Sequence, residues 1–433
     1  MTEFSSRQFP IKTNINTNKL QQSMRKIKNT FNLRIFPLLN KTIFLRVDFN
    51  VPLKNNIISN NQKIKSSLET IKYLLKNNSK IILATHLGRP EGKIVPELST
   101  KILLPELKKL LPKEKIIHLN DCFGKEIKEV ITAAPQKTIF LLENLRFYKE
   151  EEKNDTLFAH SLAQLADIYI NDAFAASHRS HASIEKITHF LPSLPGFSLE
   201  KEITELNKAL TPKRPLIWII GGAKLDKIDL LTQALEKADY ILIGGALAFA
   251  FLKAKGIPVG SSKTDANSIN QAKKILKKTV SKKIILPIDF VIAHSFSQTA
   301  KPTIVKYNEM QTDQIGLDLG PETIKIFKQY LRKAHTIVWN GPLGYFEWAN
   351  YATATKEIGR FLGKLTATTI CGGGETTEAM YKFHLEHELT HLSTGGGASL
   401  EFLSGKKLPG IIALEKNYKQ YKNKIKTKLT SQL

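Results

Sequence analysis

The sequence is poor in cysteine. Its 433 residues include only two, Cys122 and Cys371, which lie far apart. Two such residues give neither a disulfide framework nor the paired spacing of a zinc site, so we expect a reducing compartment and a cytoplasmic protein. Long hydrophobic runs are also missing. The longest notable one, residues 240–252, contains two glycines and is too short to span a bilayer, so it is typical of a buried strand leading into a helix.

Acidic residues are few relative to basic ones. The chain has 64 Lys and Arg against 39 Asp and Glu, a formal net charge of +25. Residues 1–30 and 414–433 each carry six basic residues and one Glu, so the two ends supply ten of those charges. Such a charge can attract nucleic acid or an anionic membrane, but no basic run is interleaved with aromatics and no known nucleic-acid motif is present. We therefore expect a solvated lysine-rich surface, with neither nucleic acid nor membrane as a partner.

Residues 1–30 lack both the apolar core of a signal peptide and a periodic apolar stripe. A disordered tail or a mis-called start upstream of Met24 is the favoured interpretation. A transit peptide is the alternative, and the many asparagines weaken it. Because the segment has no apolar period, we expect residues 1–23 to be dispensable for folding and activity. Residues 412–433 form a second lysine-rich segment at the other end.

The chain between these ends alternates short apolar strands with helical patterns. In the first half, strands are predicted at residues 42–50, 80–85, 115–119, 138–143 and 167–172. This alternation favours parallel sheets that are buried on both faces. We predict an α/β protein with two Rossmann-like three-layer lobes, each with a mainly parallel sheet. The lobes span residues 31–197 and 198–411, and an amphipathic hinge helix over residues 198–210 comes directly after the joint at 192–196.

The two halves differ in the residues at the carboxyl ends of their strands. In the second half, the glycine triplets at residues 372–374 and 395–397 each precede a plausible helix start. Such turns bind anions, because backbone N–H groups and the helix dipole face the ligand and no Cβ blocks it. In the first half, strands instead end in side chains that can hold a small anion: Arg46, Asn50, His86, Arg89, Asn144, Arg146 and Arg179. This division favours phosphoryl transfer between two lobes, although no segment has the P-loop or protein-kinase spacing.

A series of motifs along the chain resembles the phosphoglycerate kinase family. In chain order they are RVDFNVP from Arg46, HLGRP from His86, LENLRF from Leu142, NDAF from Asn171 with His178 and Arg179 after it, GGAK from Gly221, VWNGP from Val338, FE from Phe346 and STGGGASLE from Ser393. Their order and approximate spacing match the family from about Asn32 to Leu414. One such motif is modest evidence, but the whole set in order identifies the chain as a member of the family.

The resemblance implies a monomeric enzyme that reversibly moves a phosphoryl group from 1,3-bisphosphoglycerate to ADP, giving 3-phosphoglycerate and ATP, with Mg²⁺. It assigns the phosphoglycerate to Arg46, Asp48, Phe49, Asn50, Lys63, His86, Gly88, Arg89, Arg146, His178 and Arg179. It assigns the nucleotide to Gly221, Gly222, Lys224, Lys227, Gly244, Gly245, Gly316, Asn340, Glu347, Gly373, Gly374, Glu375, Thr376, Gly395, Gly396 and Gly397. Its catalytic set is Lys63, Arg179, Lys224 and Lys227. Arginine suits this role because its guanidinium fork binds two oxygens of a carboxylate or phosphate.

Three positions depart from the family pattern, and all fall on the implied site. Lys63 stands where the family has arginine. The family pattern GGAKxxDK is one residue shorter here, so Lys227 comes after Lys224 at i+3 instead of i+4. On a helix this change moves the second lysine by about 100° around the axis. Glu375 replaces the aspartate expected to bind Mg²⁺. Because Mg²⁺ demands near-octahedral geometry but often keeps waters, the extra methylene is tolerable but not without cost. These departures leave open a fold-retaining binding or scaffold protein with reduced or lost turnover, and a nucleic-acid binder is a third interpretation.

Two groups of histidines could suggest metal sites. His178 and His181 have H-x-x-H spacing without a third ligand nearby, so we expect anion contact and loop packing instead. His384, His387 and His391 are expected to lie at the surface.

Overall fold

The computed structural model describes residue 30 and residues 32–222, 228–278 and 282–430. The expectations for the amino-terminal extension and for Lys224 and Lys227 therefore concern residues outside the described part. Within it, the chain forms the predicted α/β architecture with two lobes, each built on its own six-stranded sheet.

The first lobe contains eight strands and six helices among the described residues. Its strands are β1 (Thr42–Arg46), β2 (Leu53–Lys54), β3 (Ile57–Ile58), β4 (Lys80–Ala84), β5 (Ile116–His118), β6 (Ile139–Leu141), β7 (Ile168–Asn171) and β8 (Ser193–Pro195). Its helices are α1 (Gln62–Ser66), α2 (Leu68–Lys76), α3 (Leu104–Leu110), α4 (Lys125–Ala133), α5 (Lys149–Glu152) and α6 (Thr156–Ala163). The large sheet is parallel with strand order β5-β6-β4-β1-β7-β8, and β2 and β3 form a separate hairpin.

The register of this sheet brings its functional residues to one edge. In β1, Arg46 is the partner of Ala84 in β4 and of Asn171 in β7. Every residue of β4 and β7 is buried, as expected for parallel strands covered by helices on both faces. The chain segments after β1, β4 and β7 therefore leave the sheet side by side, at the carboxyl edge where open α/β sheets bind ligands.

The second lobe repeats this arrangement and adds a small antiparallel sheet. Its strands are β9 (Leu216–Ile220), β10 (Tyr240–Ile243), β11 (Ile284–Ile285), β12 (Asp289–Ala293), β13 (Thr303–Lys306), β14 (Ile315–Leu319), β15 (Thr336–Asn340), β16 (Thr368–Gly372) and β17 (His391–Leu392). Its helices include α8 (Ile228–Lys237), α9 (Gly245–Ala254), α10 (Ala266–Leu276), α11 (Pro321–Leu331), α12 (Thr353–Leu362), α13 (Gly374–Lys382) and α14 (Gly397–Leu403). The parallel sheet has the order β11-β10-β9-β15-β16-β17, and β13-β12-β14 is antiparallel.

The apolar run at residues 283–293 does not form one strand. It splits into β11, which pairs with β10, and β12, which belongs to the antiparallel sheet. Pro287 lies between them. Because proline has no N–H to donate to a ladder, it separates the two strands and lets the chain pass from one sheet to the other.

The hinge helix α7 (Phe197–Leu210) joins the lobes and is anchored at its start. Asp172, directly after β7, accepts the backbone N–H of Ser198 at 2.8 Å and that of Leu199 at 3.4 Å. The N–H of Phe197 donates to Thr70 Oγ1 of α2 at 3.0 Å. The first turn of α7 is thus fixed to the first lobe.

The last helix, α15 (Pro409–Thr430), returns from the second lobe to the first. Asn417 accepts the N–H of Ser193 at 2.8 Å and donates to the carbonyl oxygens of Thr188 and Leu191 at 2.6 and 2.8 Å. The chain therefore crosses between the lobes at this helix as well as at the hinge. No helix in the described part of the chain is both long and apolar enough to cross a bilayer.

Candidate functional site

Arg46, at the end of β1, forms the buried centre of the first half-site. Its side chain has no exposed surface. Nε donates to Ser183 Oγ at 2.9 Å, Nη1 donates to the Val47 carbonyl, and Nη2 lies 3.1 Å from Nδ1 of His86. Arg46 and His86 come from neighbouring strands, and their contact confirms that the two strand ends meet.

His86 is almost fully buried among positive charges. Burial contributes most to lowering its pKa well below the ordinary value, and Arg46, Arg146 and Lys63 lower it further. The imidazole is therefore neutral at physiological pH. Phe49, next to this group, points into the core, and its N–H donates to Thr85 Oγ1 at 3.0 Å.

Gly88 ties three parts of the half-site together. Its N–H donates to Asn50 Oδ1 at 2.9 Å, and its carbonyl accepts Arg146 Nη1 at 3.1 Å. The residue has a φ of +64°, and an added Cβ would lie 2.7 Å from Leu98 Cδ2. Glycine is favoured here because φ lies in the left-handed region and because the Leu98 side chain would have to move to admit a Cβ.

Three further cationic or imidazole side chains surround Arg146. Burial, followed by the charge of Arg179, lowers the pKa of Arg146 to about 10, and Glu152 lies 3.2 Å from its Nε. Burial and the nearby arginines lower the pKa of His181 to about 3. Arg179 Nε lies 3.4 Å from His178 Nε2. This concentration of positive charge, with neutral histidines between, is suited to a multiply charged small anion.

Arg89 and Lys63 occupy the rim. Arg89 is exposed and makes no hydrogen bond or ion pair with a described residue. Lys63, on α1, pairs with Asp48 at 2.7 Å between Nζ and Oδ2. The pair brings together two residues that the resemblance assigned separately to the substrate. It also places a partly exposed cation near the buried arginines.

The second half-site is built from backbone instead of charge. An added Cβ at Gly221 would lie 2.3 Å from the Pro342 carbonyl oxygen, and one at Gly245 would lie 2.5 Å from the N of Gly222. Gly222 donates its N–H to that same Pro342 oxygen at 2.7 Å. The strand ends β9, β10 and β15 can approach this closely only because the side chains are missing.

A cavity of about 450 Å³ opens beside these turns. A volume of this size is suited to an adenosine-sized group. Its wall includes the predicted Gly222, Gly245, Gly316, Glu347 and Glu375. Gly316 faces Phe249, whose ring would lie 2.2 Å from an added Cβ. Burial, with the nearby Glu378 and Glu375, raises the pKa of Glu347.

Aromatic side chains at the cavity mouth were not anticipated from the sequence. Phe296 and Tyr345 line it, with ring centroids 5.1 Å apart. Trp348 stands 4.6 Å from Phe296 and 4.5 Å from Tyr345. Phe296 is 58% exposed, which is unusual for a residue of this size. Tyr345 and Trp348 lie beside the FE motif, but Phe296 lies near no motif, and aromatic residues alone fit a core as well as a cavity wall.

The start of α13 is held by hydrogen bonds below the predicted phosphate region. Asn340 Nδ2 donates to the Gly372 carbonyl at 2.7 Å. Thr376 Oγ1 accepts the Gly341 N–H at 2.7 Å. Gly373 has a φ of +102° with Asn340 Nδ2 only 2.5 Å from an added Cβ, whereas an added Cβ at Gly374 meets nothing within 4 Å. Hydrogen bonds from Asn340 and Gly341 hold the turn before α13 against the protein, whereas the space next to Gly374 is open.

The loop at residues 395–397 crosses to the first lobe. An added Cβ at Gly395 would lie 2.5 Å from the Phe174 ring, and one at Gly397 would lie 3.8 Å from His178 Nε2. Gly396 has a φ of +53° and open space around it. The two half-sites therefore approach each other at this loop, where a group could pass between them.

The prediction that His391 lies at the surface is wrong, although His384 and His387 are exposed as expected. His391 is buried, and its Nε2 lies 2.9 Å from Oε2 of Glu202 on the hinge helix. Ser393 donates to the same carboxylate at 2.8 Å. Burial alone would raise the pKa of Glu202, but these hydrogen bonds hold it below its ordinary value. This network connects the hinge helix directly to the loop at 395–397.

The number and type of ligand side chains among the described residues indicate which metal ion the site could bind. No group of three or more His, Cys, Asp or Glu side chains in the described residues could cage an ion. Glu375 lies at the first turn of α13, on the cavity wall, with Glu347 nearby. One or two carboxylates completed by substrate phosphates and water are the usual protein contribution to a Mg²⁺ site. The donor set fits Mg²⁺ held with a nucleotide.

Comparisons with known proteins relate the chain to one family. The phosphoglycerate kinase family model matches residues 33–406. Phosphoglycerate kinase from Finegoldia magna is 46% identical over 381 residues, covering 87% of this chain and 96% of the relative. Chloroplastic phosphoglycerate kinase 1 from Arabidopsis thaliana is 44% identical over 402 residues, covering 91% and 83%. The solved structure of phosphoglycerate kinase from Coxiella burnetii matches with a TM-score of 0.80 at 34% identity, covering 90% of this chain and 100% of that one.

Proposed function

Since this chain belongs to the phosphoglycerate kinase family, we propose that it reversibly transfers a phosphoryl group from 1,3-bisphosphoglycerate to ADP, with 3-phosphoglycerate and ATP as products. The observation that carries this proposal is the pairing of a buried cationic half-site in one lobe with a glycine-built cavity in the other. Transfer between two polyanions mainly requires positioning and charge neutralisation, and this pair of sites supplies both.

The first lobe binds the phosphoglycerate. Arg146 and Arg179 supply charge for its carboxylate and phosphate groups, with exposed Arg89 at the rim. Neutral His86 and His178 donate hydrogen bonds without adding positive charge. Arg46 has no exposed surface, so its charge acts on the anion through His86, or directly after a local rearrangement.

The second lobe binds the nucleotide. The adenosine enters the cavity beside Gly245 and Gly316, against the ring of Tyr345. The phosphates extend from Gly222 towards the open backbone of Gly374 and the loop at 395–397. Helix N-termini with unblocked N–H groups stabilise the phosphate oxygens there.

Glu375, together with the nucleotide phosphates, would hold Mg²⁺, and the nearby Glu347 would adjust the local charge. The ion, when bound, neutralises negative charge on the phosphate oxygens. Glu375 contributes one carboxylate, and its additional methylene relative to aspartate adds reach.

Lys63 and Arg179 stabilise the phosphoryl group during transfer from the first lobe, and the resemblance assigns Lys224 and Lys227 the same role from the second. Closure about the hinge helix brings these groups together and excludes water. Glu202 couples that helix to the loop at 395–397, so hinge bending and loop position change together. We further propose a cytoplasmic monomer. Both cytosolic and chloroplastic phosphoglycerate kinases of Arabidopsis are among its relatives.

The test is a coupled assay of the full chain with 3-phosphoglycerate and ATP, in which 1,3-bisphosphoglycerate formation is followed by NADH oxidation. Saturable activity that requires Mg²⁺ is expected. An Arg179→Met variant should lose most of it, and Arg332→Met, at a position that lines neither half-site, should not. A folded chain that binds both substrates without turnover would instead be the non-catalytic binding protein, an alternative that the names of the relatives do not favour.

A further inference from the structure

A chain of hydrogen bonds runs from a buried carboxylate to the first half-site. Glu151, on α5, has no exposed surface. Its Oε1 accepts Ser183 Oγ at 2.6 Å, and its Oε2 accepts the Ser183 N–H at 2.9 Å. Ser183 Oγ accepts Arg46 Nε at 2.9 Å, and Arg46 Nη2 lies 3.1 Å from His86 Nδ1. A carboxylate is thereby connected through a hydroxyl and a guanidinium to an imidazole.

The donor and acceptor properties of this chain fix the protonation of the imidazole. A guanidinium carries only N–H donors and stays protonated in proteins. His86 Nδ1 must therefore accept from Arg46, so it cannot carry a proton. The ring is consequently neutral, and its single N–H is on Nε2. That N–H is the only hydrogen-bond donor that the His86 side chain can offer a substrate oxygen.

The orientation of Arg46 depends on the other end of the chain. The guanidinium is planar, so the acceptors on Nε and Nη1 set the direction of Nη2. These acceptors are Ser183 Oγ and the carbonyl of Val47. Val47 is the next residue in the chain and moves with Arg46. Ser183, 137 positions away, is therefore the contact that fixes Arg46 relative to the rest of the lobe, and Glu151 holds Ser183 by two hydrogen bonds.

We propose that Glu151 and Ser183 are positioning residues, which orient Arg46 so that His86 remains a neutral Nε2–H donor to the anionic substrate. The inference rests on the proposed function only for the identity of that substrate. Neither residue belongs to a motif that identified the family, and Glu151 lies within an acidic run, Glu150 to Glu152, that is typical of a solvated surface.

The protonation state can be measured on the full chain without a substitution. Histidine labelled with ¹⁵N gives distinct ¹⁵N shifts for protonated and unprotonated ring nitrogens, and a His86→Gln variant identifies the signal. We expect an unprotonated Nδ1 and a protonated Nε2 that do not change between pH 5.5 and 8. A proton on Nδ1, or titration of the ring within that range, would overturn the proposal.

Substitution tests the role of the two positioning residues. Ser183→Ala removes the acceptor of Arg46 Nε, and Glu151→Gln removes the charge while it keeps the shape. We expect the KM for 3-phosphoglycerate to rise about tenfold or more, as for a lost hydrogen bond to a charged group, with little change in the nucleotide KM. In the same variants the ring should stay neutral because it remains buried, but a proton should become detectable on Nδ1. Exposed Glu150→Gln on the same helix is the matched control and should change neither.

A merely structural role would lower the melting temperature but leave the His86 signal and the KM of the folded fraction unchanged. That result would also overturn the proposal. The outcome is separable from the kinase assignment, because the tautomer is read in the absence of substrate. A chain with the expected His86 signal but no kinase activity would contradict the proposed function alone.

Discussion

The two lobes share a fold, but the half-site of the first consists mainly of charged side chains and that of the second mainly of glycine backbone. The first lobe uses side chains: buried Arg46, Arg146 and His86 converge from separate strand ends. The second uses backbone: Gly221 and Gly245 let three strand ends approach to distances that no Cβ would allow. A small, highly charged ligand has few atoms to contact, so charge must be brought to it. A nucleotide offers a large surface, so shape and N–H groups suffice.

This difference predicts opposite sensitivities. The first half-site should respond strongly to loss of charge and little to small changes of volume. The second should respond strongly to an added methyl group and little to a change of charge at its wall. For a substitution in one half-site, binding of the substrate of the other half-site can therefore serve as the control.

Arg146→Met should have the largest effect. It removes a buried cation and leaves the Gly88 carbonyl without its donor. Truncating one partner of a buried charged contact costs about 3 kcal/mol, on the order of a hundredfold in affinity. We expect the KM for 3-phosphoglycerate to rise by about that factor, with the nucleotide KM unchanged. A comparable loss for both substrates would show that the lobes are not independent binding units.

Gly221→Ala should be the next largest and should act through shape. Its new Cβ would lie 2.3 Å from the Pro342 carbonyl oxygen, a backbone atom that cannot rotate away. Overpacking of this kind costs about 2 kcal/mol, so the melting temperature should fall and nucleotide affinity with it. Gly374→Ala is the control for the melting temperature, because its Cβ meets no protein atom within 4 Å. If both variants melt alike, close strand approach is not what requires glycine at Gly221.

The sequence predicted the strand ends well because their signal is local. A short apolar run followed by a charged or glycine residue indicates both the strand and the site at its end, as at Arg46 and Gly221. The division of the run at 283–293 also has a local cause, the missing N–H of Pro287, but the apolar pattern on both sides of it favours a single strand. The two lobes and the family were predicted from these elements and their order, and the family comparisons confirm both.

The residues that were missed depend on long-range contacts. His391 was expected at the surface together with His384 and His387, yet its partner Glu202 lies 189 positions away. Glu151 lies in an acidic run, and its buried hydrogen bonds with Ser183 distinguish it from its exposed neighbours Glu150 and Glu152. Sequence pattern gives the face on which a residue lies, but not which member of a polar run finds a buried partner.

Asp318, on the wall of the cavity in the second lobe, tests how a buried charge affects the stability of that lobe. Burial raises its pKa from 3.8 to about 7 although the Leu319 and Ala354 N–H groups donate to it. The folded-state pKa is above the unfolded one, so this stability contribution is complete below pH 3.8 and is lost as the pH rises through about 7. The loss has a limit of about 1.4 kcal/mol per pH unit. Urea unfolding from pH 4 to 8 should show this slope, reduced in Asp318→Asn and retained in exposed Asp313→Asn.

Lys63→Arg should have the smallest effect, and that effect should be confined to kcat. Removing a complete transition-state donor costs roughly 3–4 kcal/mol. Lysine keeps the charge but lacks the planar fork, so its shortfall relative to arginine should be about 1–2 kcal/mol, around tenfold in rate. Because Lys63 Nζ pairs with Asp48 at 2.7 Å, an arginine could hold Asp48 with one edge and the phosphoryl group with the other. We expect a higher kcat with little change in the nucleotide KM.

Steady-state kinetics of Lys63→Arg and Lys63→Ala, with exposed Lys65→Arg on the same helix as the control, separate the interpretations. A severe loss in Lys63→Ala together with a neutral or harmful Lys63→Arg would mean that the site is re-optimised around lysine, with the shortened spacing of Lys224 and Lys227 as part of that change. Unchanged turnover in both would remove Lys63 from the site. The charge-built half-site would then end at the buried arginines, and the Asp48 pair would be a surface contact of α1.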